Sequence, residues 1–379
     1  MRIGFCLPKY TLRGADTVLW GLAYFADGRS LPHESHIFVY DDDPATYQPD
    51  IHEPENRDAA ALLFSEFKEK NRLHTCSADT LEQALVDAGI QVAYLYLAGF
   101  ENERPLIPTR VPTITHCIFN GMVALGTVHT VISNSVPHLP APHSKTRVLP
   151  NILVVAEHNA DLRDKLGIPT TATVFGRYGG RHTFSIPLVK DIVVQFARSY
   201  PDTYFVFMNT QPFSDETDIP NIKYLDGAPD LFLKRAFINT CDAMLHARLD
   251  GETFGCAIGE FALAKKPIIT APCFHRAFGY AADGHLDILG QYALVYTSPE
   301  GLSTWLNAIR RGSVKVLMEN NPYFQFTPDK VMPVFETYLQ EAVASSPASS
   351  SALDSSLVAV AAANATATST MGGSLSTDV

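Results

Sequence analysis

Two glutamates with seven residues between them, Glu252 and Glu260, bracket the stretch Glu252-Thr-Phe-Gly-Cys-Ala-Ile-Gly-Glu260. An apolar strand ends before them near Ala247, and a helix is predicted from about Gly255. The free N–H groups and dipole of a helix start favour phosphate. A carboxylate in the first two turns can accept hydrogen bonds from a diol such as ribose, as the acidic residue of dinucleotide-binding folds does. Glu252, in the loop, could accept from another polyhydroxyl group. The plainer reading makes Glu252 an electrostatic support of the helix start and Glu260 a solvated side chain.

A second segment, Gly176-Arg177-Tyr178-Gly179-Gly180-Arg181, follows another apolar strand. Glycines let backbone approach a ligand, successive N–H groups can form an anion nest, and arginine offers forked donors to phosphate. The alternative is a surface turn with solvated arginines. In the third segment, Thr113 to Gly121, His116 interrupts an apolar strand near its end. Such a histidine is either a satisfied core residue or a cleft residue.

These segments need elements to carry them. Strands are predicted at Ile3–Leu7, His36–Tyr40, Val92–Leu97, Thr113–Phe119 and Val128–Ser133, alternating with helices at Ala15–Ala26, Asn56–Asn71 and Leu81–Ala88. Continuous apolar runs such as Val92–Leu97 suit strands covered on both faces. After a Pro-rich break the alternation restarts, with strands at Ala172–Phe175, Tyr204–Met208, Ala243–Ala247, Pro267–Thr270 and Ala293–Tyr296. Helices lie between them, and Glu300–Arg310 and Met332–Ala344 close the chain. The pattern predicts two α/β units with parallel sheets facing across a cleft, with ligands beyond the carboxyl ends of the strands. Residues 1–150 form the first unit, 151–330 the second and 331–344 a closing helix. Residues 345–379, rich in Ser and Ala, are expected to be a disordered tail.

The 379 residues are 46% hydrophobic and carry a net charge of −11. A nucleic-acid groove is excluded as the default, so any anionic ligand must meet a local cation cluster. No apolar run reaches a membrane span, which leaves room only for peripheral membrane contact. The six cysteines lack zinc or redox spacing and read as buried reduced thiols of a cytoplasmic protein. Asp41-Asp42-Asp43 could hold a divalent ion but reads as a solvated strand end; His33 and His36 lack a third metal ligand.

The stretch Leu162 to Thr270 resembles the carboxy-terminal domain of GT-B glycosyltransferases, notably the retaining family-four enzymes (glycosyl transferases group 1). The resemblance rests on Glu252-Thr-Phe-Gly with Glu260, on Phe261 to Ile269 as helix, turn and strand, on Asn221 to Gly227 and on Leu149-Pro150-Asn151. It implies a GT-B fold of two Rossmann-like domains and a transfer from a nucleotide-diphosphate sugar to a glycan, lipid or small-molecule acceptor, without a metal cofactor. It assigns Glu260 to the donor ribose, Arg177 to the diphosphate and Glu252 to the donor sugar. His116 joins Glu252 and Arg177 as catalytic. Gly14, Gly176, Arg181, Asn209, Thr253, Phe254 and Gly255 complete the donor site. The family places a lysine five residues beyond the arginine. His182 stands there in this chain, with Arg181 before it and Lys190 beyond, and Arg181 is taken as the second cation. A sugar-nucleotide epimerase and a nonenzymatic nucleotide- or sugar-binding protein are the alternatives.

Overall fold

The computed structural model describes residues 1–11, 13–40, 54–138, 147–215, 218–314 and 318–345. The acidic triplet and all but the first residue of the expected tail lie outside the described residues. The amino-terminal sheet contains β1 (Arg2–Leu7), β2 (Glu34–Tyr40), β3 (Leu73–Cys76), β4 (Val92–Leu97), β5 (Thr113–Cys117), β6 (Val128–Val131) and β7 (Arg147–Val148). Their order is β3-β2-β1-β4-β5-β6-β7, every pair parallel. The second sheet contains β8 (Thr173–Tyr178), β9 (Thr203–Met208), β10 (Ile222–Leu225), β11 (Ala243–Leu245), β12 (Ile268–Thr270) and β13 (Ala293–Val295), in the order β10-β9-β8-β11-β12-β13, again parallel throughout. Each sheet reverses its winding at its first strand, β1 or β8. The loops that follow those strands therefore open onto a crevice at a topological switch point.

Helices cover both faces of the sheets, which is why the strands are buried along most of their length. Helix Gly14–Ala26 buries Val18, Leu19 and Leu22 on β1, a spacing that puts all three on one face. The last helix, Pro328–Ala344, crosses back. Its Val331, Met332, Phe335 and Leu339 are buried in the amino-terminal core, with Phe335 against Phe5 and Tyr94. The closing helix thus belongs structurally to the first unit. It starts earlier than expected, because Pro328 supplies a preorganised first turn.

Two further differences have plain causes. The helix expected over Asn56–Asn71 is broken into Pro54–Leu62 and Ser65–Glu69, and the break lets Phe64 and Phe67 both bury completely. Strand β3, Leu-His-Thr-Cys, carries too little apolar signal to be read as a strand. It forms at the sheet edge, where His74 stacks on His36 and Phe38.

Candidate active site

A cavity of about 360 Å³ lies between the two units. Its walls come from the loop after β1, the ends of β8, β9 and β11, and the start of helix Cys256–Leu263. Of the site residues read from sequence, Gly14, Arg177, Asn209, Glu252, Thr253, Phe254, Gly255 and Glu260 line it.

Arg177 is in β8, which runs on to Tyr178 rather than ending at Gly176. It is only 3% exposed. Its Nη1 donates to Thr210 Oγ1 at 2.5 Å and its Nη2 to the Gly180 carbonyl at 3.0 Å and to Thr183 Oγ1. Burial pulls the guanidinium down to about 9, with Glu252 opposing and the charge of Arg248 adding to the fall. Asn209, in left-handed backbone at φ 49°, donates its amide to the Gly179 carbonyl at 2.8 Å. The loop after β8 is thereby stitched to the loop after β9.

Glu252 is fixed through its backbone: its N–H donates to the Ala282 carbonyl at 2.7 Å. Gly251 precedes it at φ 67°, and a Cβ there would stand 2.2 Å from that carbonyl oxygen, so only glycine fits. The Glu252 carboxylate accepts from Arg248 Nη1 at 2.9 Å and lies 3.6 Å from His246 Nε2. Burial pushes this carboxyl up, but Arg248 and His246 outweigh it and hold the group well below the usual carboxylate range. His246 is braced on its other side by Thr270, Nδ1 to Oγ1 at 2.8 Å. The pocket wall therefore presents a fixed, charged carboxylate beside a fixed imidazole.

Glu260 differs. It is 4% exposed and its carboxyl has no hydrogen-bond partner among the described residues, so burial raises it to about 8. A buried, unpartnered carboxyl is costly to folding and is kept where it has a ligand to meet. It projects from the helix whose first residues, after Gly255 in left-handed backbone at φ 80°, form part of the same wall. Asn151, at the crossing between units, accepts from Tyr96 Oη at 3.1 Å and donates to Cys256 Sγ at 3.5 Å. A Cβ on Gly14 would come within 3.3 Å of that sulfur, so Gly14 lets the first unit close on this helix.

Other expected site residues lie elsewhere. His116 is fully buried and off the cavity wall; Tyr94 Oη lies 2.6 Å from its Nδ1. Burial pulls the imidazole down to about 3. Its ring lies edge-on between Tyr94 and Tyr96, among buried residues. Gly176 is a packing glycine: a Cβ would lie 2.1 Å from Cys241 Sγ. Arg181, His182 and Lys190 are also off the wall. In their place stand residues that the motif reading passed over, Arg13, Lys234, His246 and Arg248. Lys234 is buried, which brings it down to about 8, and it reaches Thr17 Oγ1 at 3.5 Å across the crevice. The signal available for Arg248 was its place in a post-strand loop; for Arg13 it was adjacency to Gly14. Both lack motif spacing.

No family model matches the sequence, and no curated protein sequence matches it. Solved structures do resemble it. A glycosyltransferase from Rickettsia africae aligns with a TM-score of 0.62 at 11% identity, over 91% of this chain and 99% of that one. The Anabaena protein HepE, in complex with UDP-glucose, gives 0.61 at 12% identity, over 91% and 100%. A putative UDP-N-acetylglucosamine 2-epimerase from Listeria monocytogenes gives 0.56 at 9% identity, over 90% and 97%. The chain has the GT-B fold. At these identities the likeness is one of fold. Among the described residues no helix is long and apolar enough to cross a membrane, and no group of His, Cys, Asp and Glu is arranged to hold a metal ion.

Proposed function

We propose that this protein is a glycosyltransferase that moves a sugar from a nucleoside diphosphate sugar to an acceptor with retention of anomeric configuration, as the group 1 enzymes it resembles do. The observation that carries the reading is the pairing on one cavity wall of a buried, unpartnered Glu260 with a buried, fully oriented Arg177. A ribose diol gives Glu260 the donors it lacks. A diphosphate gives Arg177 a counter-charge. That HepE holds UDP-glucose and the S. aureus protein MnaA holds UDP in similar folds supports this assignment.

In this reading the donor lies with its ribose at Glu260, its diphosphate at Arg177 and the start of helix Cys256–Leu263, and its sugar beside Glu252. As the bond from the anomeric carbon to the β-phosphate oxygen breaks, negative charge grows on the departing diphosphate. Cations held in place beforehand stabilise that charge most when it is largest. Glu252 supports positive charge developing on the sugar without attacking it. The acceptor oxygen enters on the face the diphosphate leaves, and its proton passes to the departing β-phosphate oxygen. Arginines meet the phosphate charge, so transfer proceeds without a divalent ion. Six unpaired thiols, three of them buried, support a reducing, cytoplasmic setting.

The likeness to the Listeria 2-epimerase favours one second reading, an epimerase acting on the donor sugar itself. The test is incubation with a panel of UDP-, GDP- and ADP-sugars and mixed acceptors, with and without chelator, followed by mass spectrometry and NMR. Transfer predicts release of nucleoside diphosphate and a glycoside of unchanged anomeric configuration, equally in chelator. Return of a stereochemically altered donor without nucleotide release would replace transfer by epimerisation. Nucleotide binding without either change would make the protein a nonenzymatic binder.

A further inference from the structure

A diphosphate in this cleft needs more than one cation, and Arg181 is not on the cavity wall. We propose that Arg248 and Arg13 complete the diphosphate site with Arg177, so that arginines from both units grip one anion. The proposal rests on the nucleotide-sugar reading above.

The geometry places all three on the same cavity. Arg177 and Arg13 both lie beside the Gly179-Gly180 pair. The Arg177 Nη2 lies 2.8 Å from where a Cβ on Gly179 would stand, and the Arg13 Nε 3.7 Å from the corresponding point at Gly180. Arg13 comes from the loop after β1, which Asp16 braces by accepting from the Thr11 N–H at 2.8 Å. Arg248 comes from the loop after β11. Glu252 holds its Nη1 at 2.9 Å, and its buried Nε has no hydrogen-bond partner.

Among the described residues, the carboxylates acting on Arg13, Arg177, Arg248 and Lys234 are Asp16, Glu252 and Asp250, three against four, in a protein whose net charge is −11. Burial lowers both Arg13 and Arg177, and the charge of Arg248 lowers them further. A bound diphosphate relieves this repulsion. Forked guanidinium groups suit phosphate oxygens, and a lysine at any of these positions would contribute one point charge. Because Arg13 belongs to the first unit, the anion also draws the two units together.

The test is calorimetry on the full chain with inorganic pyrophosphate, with UDP, GDP and ADP, and with the matching nucleosides. Arg248→Gln and Arg13→Gln should each weaken pyrophosphate and diphosphate binding roughly ten-fold or more and leave nucleoside affinity unchanged. Arg248→Lys, checked by thermal melts alongside the others, should fall between Arg248→Gln and the parent. Arg181→Gln should bind as the parent does. Parental pyrophosphate affinity in Arg248→Gln and Arg13→Gln, or an equal loss in Arg181→Gln, overturns the proposal. If the parent binds pyrophosphate with this arginine dependence but none of the nucleoside diphosphates, the clamp stands and the nucleotide-sugar reading fails.

Discussion

The guanidinium of Arg177 occupies the space that a side chain on Gly179 would need: a Cβ there would stand 2.8 Å from Nη2 and 3.2 Å from Cζ. Arg177 cannot swing aside cheaply, because Thr210, Thr183 and the Gly180 carbonyl hold its nitrogens. The Gly-Gly pair therefore makes room for cations. Its backbone is not left-handed at either residue, so conformational freedom is not what selects glycine there.

Gly179→Ala should thus weaken nucleoside diphosphate binding about ten-fold while leaving the melting temperature within a few degrees. Gly180→Ala, whose Cβ would stand 3.2 Å from Thr183 Cγ2, 3.6 Å from Thr183 Oγ1 and 3.7 Å from Arg13 Nε, should cost less. Calorimetry on the two variants checks the order. The reverse order would mean that Arg177 is not the tightly held cation of the pair.

Glu260 makes stability depend on pH. Its folded pKa, about 8, lies above the ordinary 4.5. The folded state binds more protons than the unfolded state between those values, so stability falls as pH rises through that window. Glu260→Gln removes the titration. It should melt above the parent at pH 8.5, by an amount that shrinks toward pH 5.5, while nucleoside affinity falls by one to two decades. Parallel melting curves for parent and variant across that range would show that the carboxyl has a partner in solution.

Much of this was legible in the sequence, and the remainder fails for definable reasons. Apolar runs such as Val92–Leu97 announce buried parallel strands, and Glu252, Phe254, Gly255 and Glu260 announce a wall of the cleft. Strand β3 was hidden because an edge strand need not be apolar. Arg13 and Arg248 were hidden because they converge only when two sheets face each other, a relationship with no fixed spacing along the chain. His116 and Gly176 were misplaced for a shared reason. Strand position gives the end of a strand but not which of two buried faces a side chain takes, and both faces here are covered.

His116 accordingly carries a prediction about folding. Tyr94 Oη lies 2.6 Å from its Nδ1, and both residues are fully buried. His116→Ala leaves that hydroxyl unpaired and opens a hole in the core, at a cost of about 2–4 kcal/mol. Denaturant melts should show this loss, with kcat per folded molecule close to that of the parent. A hundred-fold fall in kcat with unchanged stability would return His116 to the chemistry.

Glu252→Gln separates positioning of the sugar from binding of the phosphates. The carboxylate accepts from Arg248 at 2.9 Å, so its charge is partly committed to holding that arginine. Neutralising it removes a negative charge from the neighbourhood of the diphosphate and loosens the hold on Arg248, which then turns more of its donors to the anion. Nucleoside diphosphate affinity should therefore stay level or tighten. Turnover should move the other way, falling ten-fold or more, because positive charge developing on the sugar loses its nearest fixed carboxylate. The opposite signs are what a loss of fold would not produce, since unfolding lowers both. Calorimetry with nucleoside diphosphate beside steady-state kinetics on the same preparation reads the two quantities. Full turnover in Glu252→Gln would reduce Glu252 to the anchor of Arg248 and move the sugar to another part of the cavity wall.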